Sequence, residues 1–214
     1  MRILTVPVKA LARGKSRLAP LLAPLERAAL TLAMLEDVLD AAQPQAGWDV
    51  WVLSPDDTVL EIAARRAVRP VVDEGTSLLR AVRRVDEEAT DRGADALAVV
   101  LGDTPLLTAE ALAGALHTIG PVVLARSADG AGTNLLLRRP PRAIRPRFGT
   151  DSFAEHRREA ASKGLPVAVV DTPELAFDLD APDDILTLLE RGRPGRTFAV
   201  CAELELGSRL RVRT

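Results

Sequence analysis

Apolar runs of about four to eight residues recur along the chain, at "RILTVPV", "DVWVLS", "AVRPVV", "ADALAVVLG" and "GPVVLARS", each bounded by turn-forming residues. Continuous rather than alternating hydrophobicity is what a strand covered on both faces requires. Between the runs, "LERAALTLAMLEDVLDAA", "DTVLEIAARR", "SLLRAVRRVDEEATDRG" and "TAEALAGALHTI" carry apolar residues at three- and four-residue spacing, which predicts amphipathic helices. Strand and helix in alternation give an α/β fold, a mostly parallel mixed sheet flanked by helices with right-handed crossovers. Beyond residue 126 the pattern changes to a Gly-rich turn, a strand "TNLLLRR", a Pro-rich segment to Pro146, a helix from about Ser152, a strand "PVAVVD" and a helix from about Pro182. A Gly/Pro break then divides a domain, residues 1–192, from a tail, 193–214, whose alternation in "RTFAVCAELELGSRLRVRT" predicts a strand-rich segment. Such a tail adds an edge strand to a neighbouring subunit in a homodimer, folds back, or stays partly disordered.

Composition narrows the function classes. With 214 residues, 47% of them hydrophobic, the chain can bury one full α/β core. Its 28 Lys and Arg are interspersed with 30 Asp and Glu, so neither a nucleic-acid nor a membrane-surface role is favoured. The N-terminus enters "MRILTVPV" without the apolar run of a signal peptide, and a cytoplasmic location is the expectation. A lone Cys201 excludes an internal disulfide, and two histidines, His117 and His156, leave no Cys/His zinc site. Any metal therefore sits on oxygen ligands, as magnesium, manganese or calcium do. Aromatic residues are only 3% of the chain, so base stacking is not the main way a nucleotide would be held.

In an open α/β sheet, ligands bind beyond the carboxyl ends of the strands. The first strand runs into "VPVKALARGKSRLAP", where Gly14-Lys15-Ser16 resembles the end of a phosphate-binding P-loop. That loop needs a glycine five residues earlier, and the residue there is Lys9. What remains is a basic loop of Lys9, Arg13, Lys15 and Arg17, suited to a triphosphate or simply solvated. In "LGDTPLLT", Asp103 follows the most apolar strand and is placed to hold a divalent cation, while Thr108 caps the next helix. In "SADGAGTNLLL", Gly130 and Gly132 allow positive φ and exposed amides beside the Thr133 hydroxyl, a nest for an anion or a plain hairpin turn. In "RFGTDSFAEH", Gly149, Thr150 and Ser152 open a helix, where amides and dipole favour an anion; Asp151 or Ser152 as a simple N-cap is the competing reading. In "AFDLDAPDDI", Asp178 and Asp180 share one face of an extended segment ahead of a helix opened by Asp183 and Asp184.

The ordered set "VPVKALARGKSRLAP", "GDTPLLT", "DGAGTNLLL", "FGTDSFAEH" and "DLDAPDDI" resembles the CofC/FbiD family, the guanylyltransferases that make the first activated intermediate of the deazaflavin coenzyme F-420. The resemblance spans about residues 1–190. It implies a nucleotide-diphospho-sugar-transferase-like fold of the GT-A type, Mg2+ as cofactor, and GTP plus a small phosphorylated three-carbon acid as substrates. Phosphoenolpyruvate and 2-phospho-L-lactate are the acids family members use, and a downstream deazaflavin transferase consumes the product. It further implies that Thr133, Gly149 and Ser152 contact the acid, and that Asp103, with Asp178 or Asp180, holds the metal. Lys15 and Arg17 would face the β- and γ-phosphates, with Lys9 beside them. Many members read Gly-Leu-Asn after the third strand, where this chain has Ser77-Leu78-Leu79. Guanine offers N1–H and N2 amine donors that one carboxylate can accept, so Glu74, after the third strand, is the candidate to read it. Three rivals fit less of the pattern: another nucleotidyltransferase of the same fold, a metal-dependent glycosyltransferase, and a binding-only module.

Overall fold

Each continuous apolar run forms a strand in the computed structural model, which describes residues 1–75 and 77–211. The strands are β1 (Arg2–Pro7), β2 (Trp48–Ser54), β3 (Arg69–Val72), β4 (Ala96–Val100), β5 (Val122–Arg126), β6 (Thr133–Arg138) and β7 (Val167–Val169), joined in one sheet of order β3-β2-β1-β4-β6-β5-β7. Helices α1 (Pro24–Ala42), α2 (Asp57–Arg65), α3 (Leu78–Asp91), α4 (Ala109–His117), α5 (Ser152–Ser162), α6 (Pro173–Ala176) and α7 (Pro182–Arg191) flank it. The four-residue α6 has no counterpart in the sequence pattern, where "TPELA" carries too few positions to show helical spacing. The central strands are buried along their length, and the edge strands β3 and β7 are partly exposed.

Two features of the topology place the site. β1 pairs in parallel with both β2 and β4, so the strand order reverses at β1, the switch point beside which open α/β sheets bind their ligands. β6 lies antiparallel between β4 and β5. It therefore begins at the edge where the parallel strands end, which brings Thr133, its first residue, to the same side as the loops after β1 and β4.

A second apolar cluster joins the segments that carry the site. Leu18 and Leu22 from the β1 loop, Leu106 from the β4 loop, and Phe177 and Leu179 pack together with Ile185 and Leu188 of α7. Burying each such side chain contributes about 1.5–3 kcal/mol, enough to hold three otherwise irregular loops in register. Cys201 sits in this cluster, and burial pushes its thiol up to about 12, so it is an inert core residue.

The tail differs from expectation. In place of strands it forms two helices, α8 (Arg196–Glu203) and α9 (Leu206–Arg211), packed on α1 and α7; residues 212–214 of the expected strand-rich segment lie outside the described residues. The start of α8 is set by Asp37 of α1, which accepts hydrogen bonds from the Arg196 amide at 2.8 Å and from the Thr197 amide and hydroxyl at 2.9 and 2.6 Å. A carboxylate supplied from 160 residues upstream satisfies the free amides of a helix start, which no local pattern reveals. The tail thus offers no edge strand to a neighbouring subunit across its described residues. Among the described residues no helix is long and apolar enough to cross a membrane.

Candidate active site

The basic loop after β1 folds as two short 3-10 turns, Leu11–Arg13 and Ser16–Leu18, with Lys15 between them in a left-handed conformation, φ 50° and ψ 45°. A bulky residue held there costs about 1–3 kcal/mol and persists only where its surroundings over-determine it. Here Leu18 anchors the loop in the second cluster, and the Lys15 side chain, 7% exposed, donates to Asp103 Oδ2 at 2.8 Å and to Asp180 Oδ1 at 2.6 Å. Burial would lower the Lys15 pKa, but Asp103 and Asp180 outweigh it and raise it, so the group is an ammonium ion. Lys9, Arg13 and Arg17 are exposed around this point. Burial would raise the Asp180 carboxyl too; Lys15, with Arg17 and Lys9 beyond it, holds it below the usual range.

Asp103 leaves β4 on a turn that passes hard against the end of β1. A Cβ on Gly102 would lie 3.0 Å from Val8 Cγ2 and 3.2 Å from the Pro7 carbonyl oxygen, so the close approach depends on glycine. The Asp103 carbonyl accepts the Leu179 amide at 3.0 Å, fastening the "DLD" segment alongside. Phe177 and Leu179 point into the core, which turns Asp178 and Asp180 to the opposite, site-facing side. Asn134, the residue after Thr133 on β6, donates from Nδ2 to the Leu175 and Ala176 carbonyls and to Asp178 Oδ1, tying that segment to the sheet.

The carboxylates fit a hard divalent cation. Burial, reinforced by Asp103 and Asp180 and opposed by Asn134 and Lys15, pushes the Asp178 carboxyl up to about 6. Asp103 Oδ1 is buried with no hydrogen-bond partner among the described residues, an unsatisfied oxygen of the kind magnesium takes. The three acids are spread around the Lys15 ammonium; among the described residues no group of three or more Asp, Glu, His or Cys side chains closes on one point. A cation would thus be held by Asp103 with one of the other two.

The burial of Asp178 has a measurable consequence. The folded chain binds a proton at Asp178 up to about pH 6, whereas the ordinary carboxyl value is 3.8, so stability falls as pH rises through that window. In metal-free buffer with EDTA, Asp178→Asn is expected to melt above the wild type near neutral pH, with the gap closing towards the lower limit. Equal melting temperatures near neutral pH would show that Asp178 is not strained by its neighbours.

Thr133 and Ser152 meet beside this cluster. Thr133 and Ser152 are each 2% exposed, with their hydroxyl oxygens 3.1 Å apart. Gly149 takes φ +130° in the loop before α5, a conformation that only glycine adopts without strain. His156, fully buried one turn along α5 from Ser152, places Nδ1 3.1 Å from Thr133 Oγ1 and accepts the Arg147 amide at Nε2, 2.8 Å. Burial, then the nearby Arg138 charge, depresses its pKa to about 4, so the ring is neutral near neutral pH. Sequence reasoning used His156 only to exclude zinc; the available signal was its four-residue spacing from Ser152 on a helix.

The two candidate anion-binding turns come out differently. The Gly-rich turn is not an open nest: the Ala131 and Gly132 amides donate to Asp129 Oδ1, Gly132 also to Ser127 Oγ, and the Gly130 amide to the Ser127 carbonyl. At the start of α5, Asp151 occupies the cap position in the left-handed region without a side-chain cap bond, and the Phe153 amide is taken by the Ala131 carbonyl. Glu74 is exposed in the loop after β3, two strands from β1 at the sheet edge, and is not brought to the carboxylate cluster.

The family model described as "Guanylyl transferase CofC like" matches residues 1–206. A phosphoenolpyruvate guanylyltransferase of Sphaerobacter thermophilus is 44% identical over 187 residues, covering 86% of this chain and 90% of its own. A 3-phospho-D-glycerate guanylyltransferase of Phenylobacterium zucineum is 36% identical over 199 residues, covering 90% of this chain and 91% of its own. Among solved structures, a protein described as a nucleotide-diphospho-sugar transferase from Desulfovibrio desulfuricans superimposes with a TM-score of 0.76 at 19% identity, covering 96% of both chains, a likeness of fold.

Proposed function

The chain belongs to the family of CofC-like guanylyl transferases, and from that premise we propose that it transfers GMP from GTP to the phosphate of a small phosphorylated three-carbon acid, phosphoenolpyruvate first among them. The observation that supports this best is the buried Lys15 ammonium paired with the partly exposed Asp103 and Asp180 at the switch point, with the Thr133–Ser152 pair beside it. In the reaction an oxygen of the acid's phosphate forms a bond to the α-phosphorus of GTP, the bond to the β-phosphate oxygen breaks, and pyrophosphate leaves with the electron pair.

The residues present suit a reaction that needs no side-chain base. A phosphate monoester is largely ionised near neutral pH, its second pKa being about 6. His156 is neutral with both ring nitrogens engaged, His117 binds its own helix through the Ala113 carbonyl, and Cys201 is buried in the core. What remains is alignment and charge neutralisation. Lys15, with Arg17 and Lys9 at the mouth, would neutralise the departing pyrophosphate, while Thr133, Ser152 and the Gly149 loop orient the acid. Magnesium, when bound at Asp103 and Asp178 or Asp180, would supply Lewis-acid stabilisation of charge on the phosphates. Glu74 remains the candidate for reading guanine, through a carboxylate facing N1–H and the N2 amine. The product is a reactive phosphoanhydride, which a downstream deazaflavin transferase would consume.

Pyrophosphate release with magnesium tests the reading, comparing phosphoenolpyruvate, 2-phospho-L-lactate and 3-phospho-D-glycerate with GTP, then ATP in place of GTP for the wild type and Glu74→Ala. Release with GTP and phosphoenolpyruvate is expected, with the preference over ATP reduced in Glu74→Ala. Release with none of the acids would overturn the reaction, and an unchanged base preference would remove Glu74 from it.

A further inference from the structure

The acid subsite contains a hydrogen-bond chain whose direction can be counted. The Arg147 backbone amide can only donate, and it does so to His156 Nε2 at 2.8 Å. A neutral ring carries one N–H, so the proton sits on Nδ1. Nδ1–H therefore donates to Thr133 Oγ1, which lies 3.1 Å from Ser152 Oγ. The two hydroxyls own two protons, and one is used in the bond between them. The other has no assignment in the chain, and it must be directed out of the pair whichever hydroxyl donates to the other. Were Nδ1 an acceptor instead, Thr133 would donate to it and Ser152 to Thr133, and no proton would be left.

We infer that His156 is a positioning residue that, with the Arg147 amide, forces the Thr133–Ser152 pair to present a hydrogen-bond donor to an oxygen of the acid. This rests on the reading of Thr133 and Ser152 as the acid subsite and adds what fixes their polarity. The surroundings hold the chain in this direction. His156 is fully buried, its ring meets the Phe148 edge at a centroid distance of 5.2 Å, and Arg147 is pinned to α5 by Glu159 at 2.8 Å. The depressed pKa of His156 keeps the ring neutral, the state in which only one nitrogen donates.

The test has two arms. With only two histidines in the chain, long-range proton–nitrogen spectra, assigned with a His117→Gln variant, are expected to show His156 protonated on Nδ1 near neutral pH; protonation on Nε2 would overturn the proposal. Calorimetric binding of phosphoenolpyruvate to the wild type, His156→Asn and His156→Gln gives the second arm. Asparagine carries an N–H near the position of Nδ1 and is expected to bind within about threefold of the wild type. Glutamine reaches the Nε2 position and leaves Thr133 without its donor, and is expected to bind about tenfold or more weakly, with the KM for GTP unchanged. Equal loss in both variants, or in neither, would overturn the inference. No binding by the wild type would instead overturn the acid subsite itself, while the nitrogen spectra still report on the chain.

Discussion

Asp103→Asn is expected to lower turnover about 100- to 1000-fold while leaving the fold intact, because it removes a carboxylate charge from the point where phosphate charge must be neutralised. The amide keeps the shape of the side chain and can still accept from Lys15, which retains its second partner, Asp180, at 2.6 Å. The turn itself is held by other bonds, from Thr104 Oγ1 to the Leu101 carbonyl and from the Leu179 amide to the Asp103 carbonyl. What is lost is the anionic oxygen Oδ1, buried without a partner among the described residues, and with it the attraction for a divalent cation. Steady-state rates at saturating GTP and acid, with circular dichroism to confirm folding, check this. A folded variant within about threefold of wild-type turnover would remove Asp103 from the chemistry.

The second large effect lies away from the site. Arg138 at the end of β6 is fully buried and donates from both Nη atoms to Asp86 of α3, at 2.8 and 2.6 Å. Burial pushes the Asp86 carboxyl up although Arg138 opposes it, so the pair is held at considerable desolvation cost. Asp86→Ala leaves a guanidinium in the core without its counter-charge and is expected to cost about 3–5 kcal/mol in chemical denaturation. Asp86→Leu with Arg138→Met removes both charges and is expected to lie close to the wild type, since Arg138 Nε already lacks a partner among the described residues. Equal destabilisation of the single and double variants would show that the cost comes from lost packing rather than from an orphaned charge.

Much of the architecture could be read from the chain because its strands are buried on both faces. Runs such as "ADALAVVLG" carry that information locally, and the loops after β1 and β4 are chemically unusual in any reading, so Lys15 and Asp103 stand out. The carboxylates of "DLDAPDD" were legible for the same reason, since Phe177 and Leu179 alternate with Asp178 and Asp180. What could not be read depends on contacts across the sheet. The role of His156 exists only because β6 runs antiparallel and carries Thr133 to the helix that bears Ser152. The tail is helical because Asp37 supplies a cap from α1, while the alternation in "AELEL" suggested strands. Whether the amides around Gly130 and Gly132 form a nest or a plain turn is likewise not legible in the sequence; Asp129 and Ser127 occupy them, which makes it a closed turn.

The central claim is that this chain joins the α-phosphate of GTP to the phosphate of a three-carbon acid. Phosphorus NMR of a quenched reaction containing GTP, magnesium, phosphoenolpyruvate and inorganic pyrophosphatase observes that bond directly. A pair of coupled signals from a new phosphoanhydride linking GMP to the acid is expected, growing as GTP disappears and absent without the acid. Loss of GTP to GMP or GDP with no coupled pair besides those of GTP and GDP, or no change in GTP with any of the three acids, would rule this reaction out.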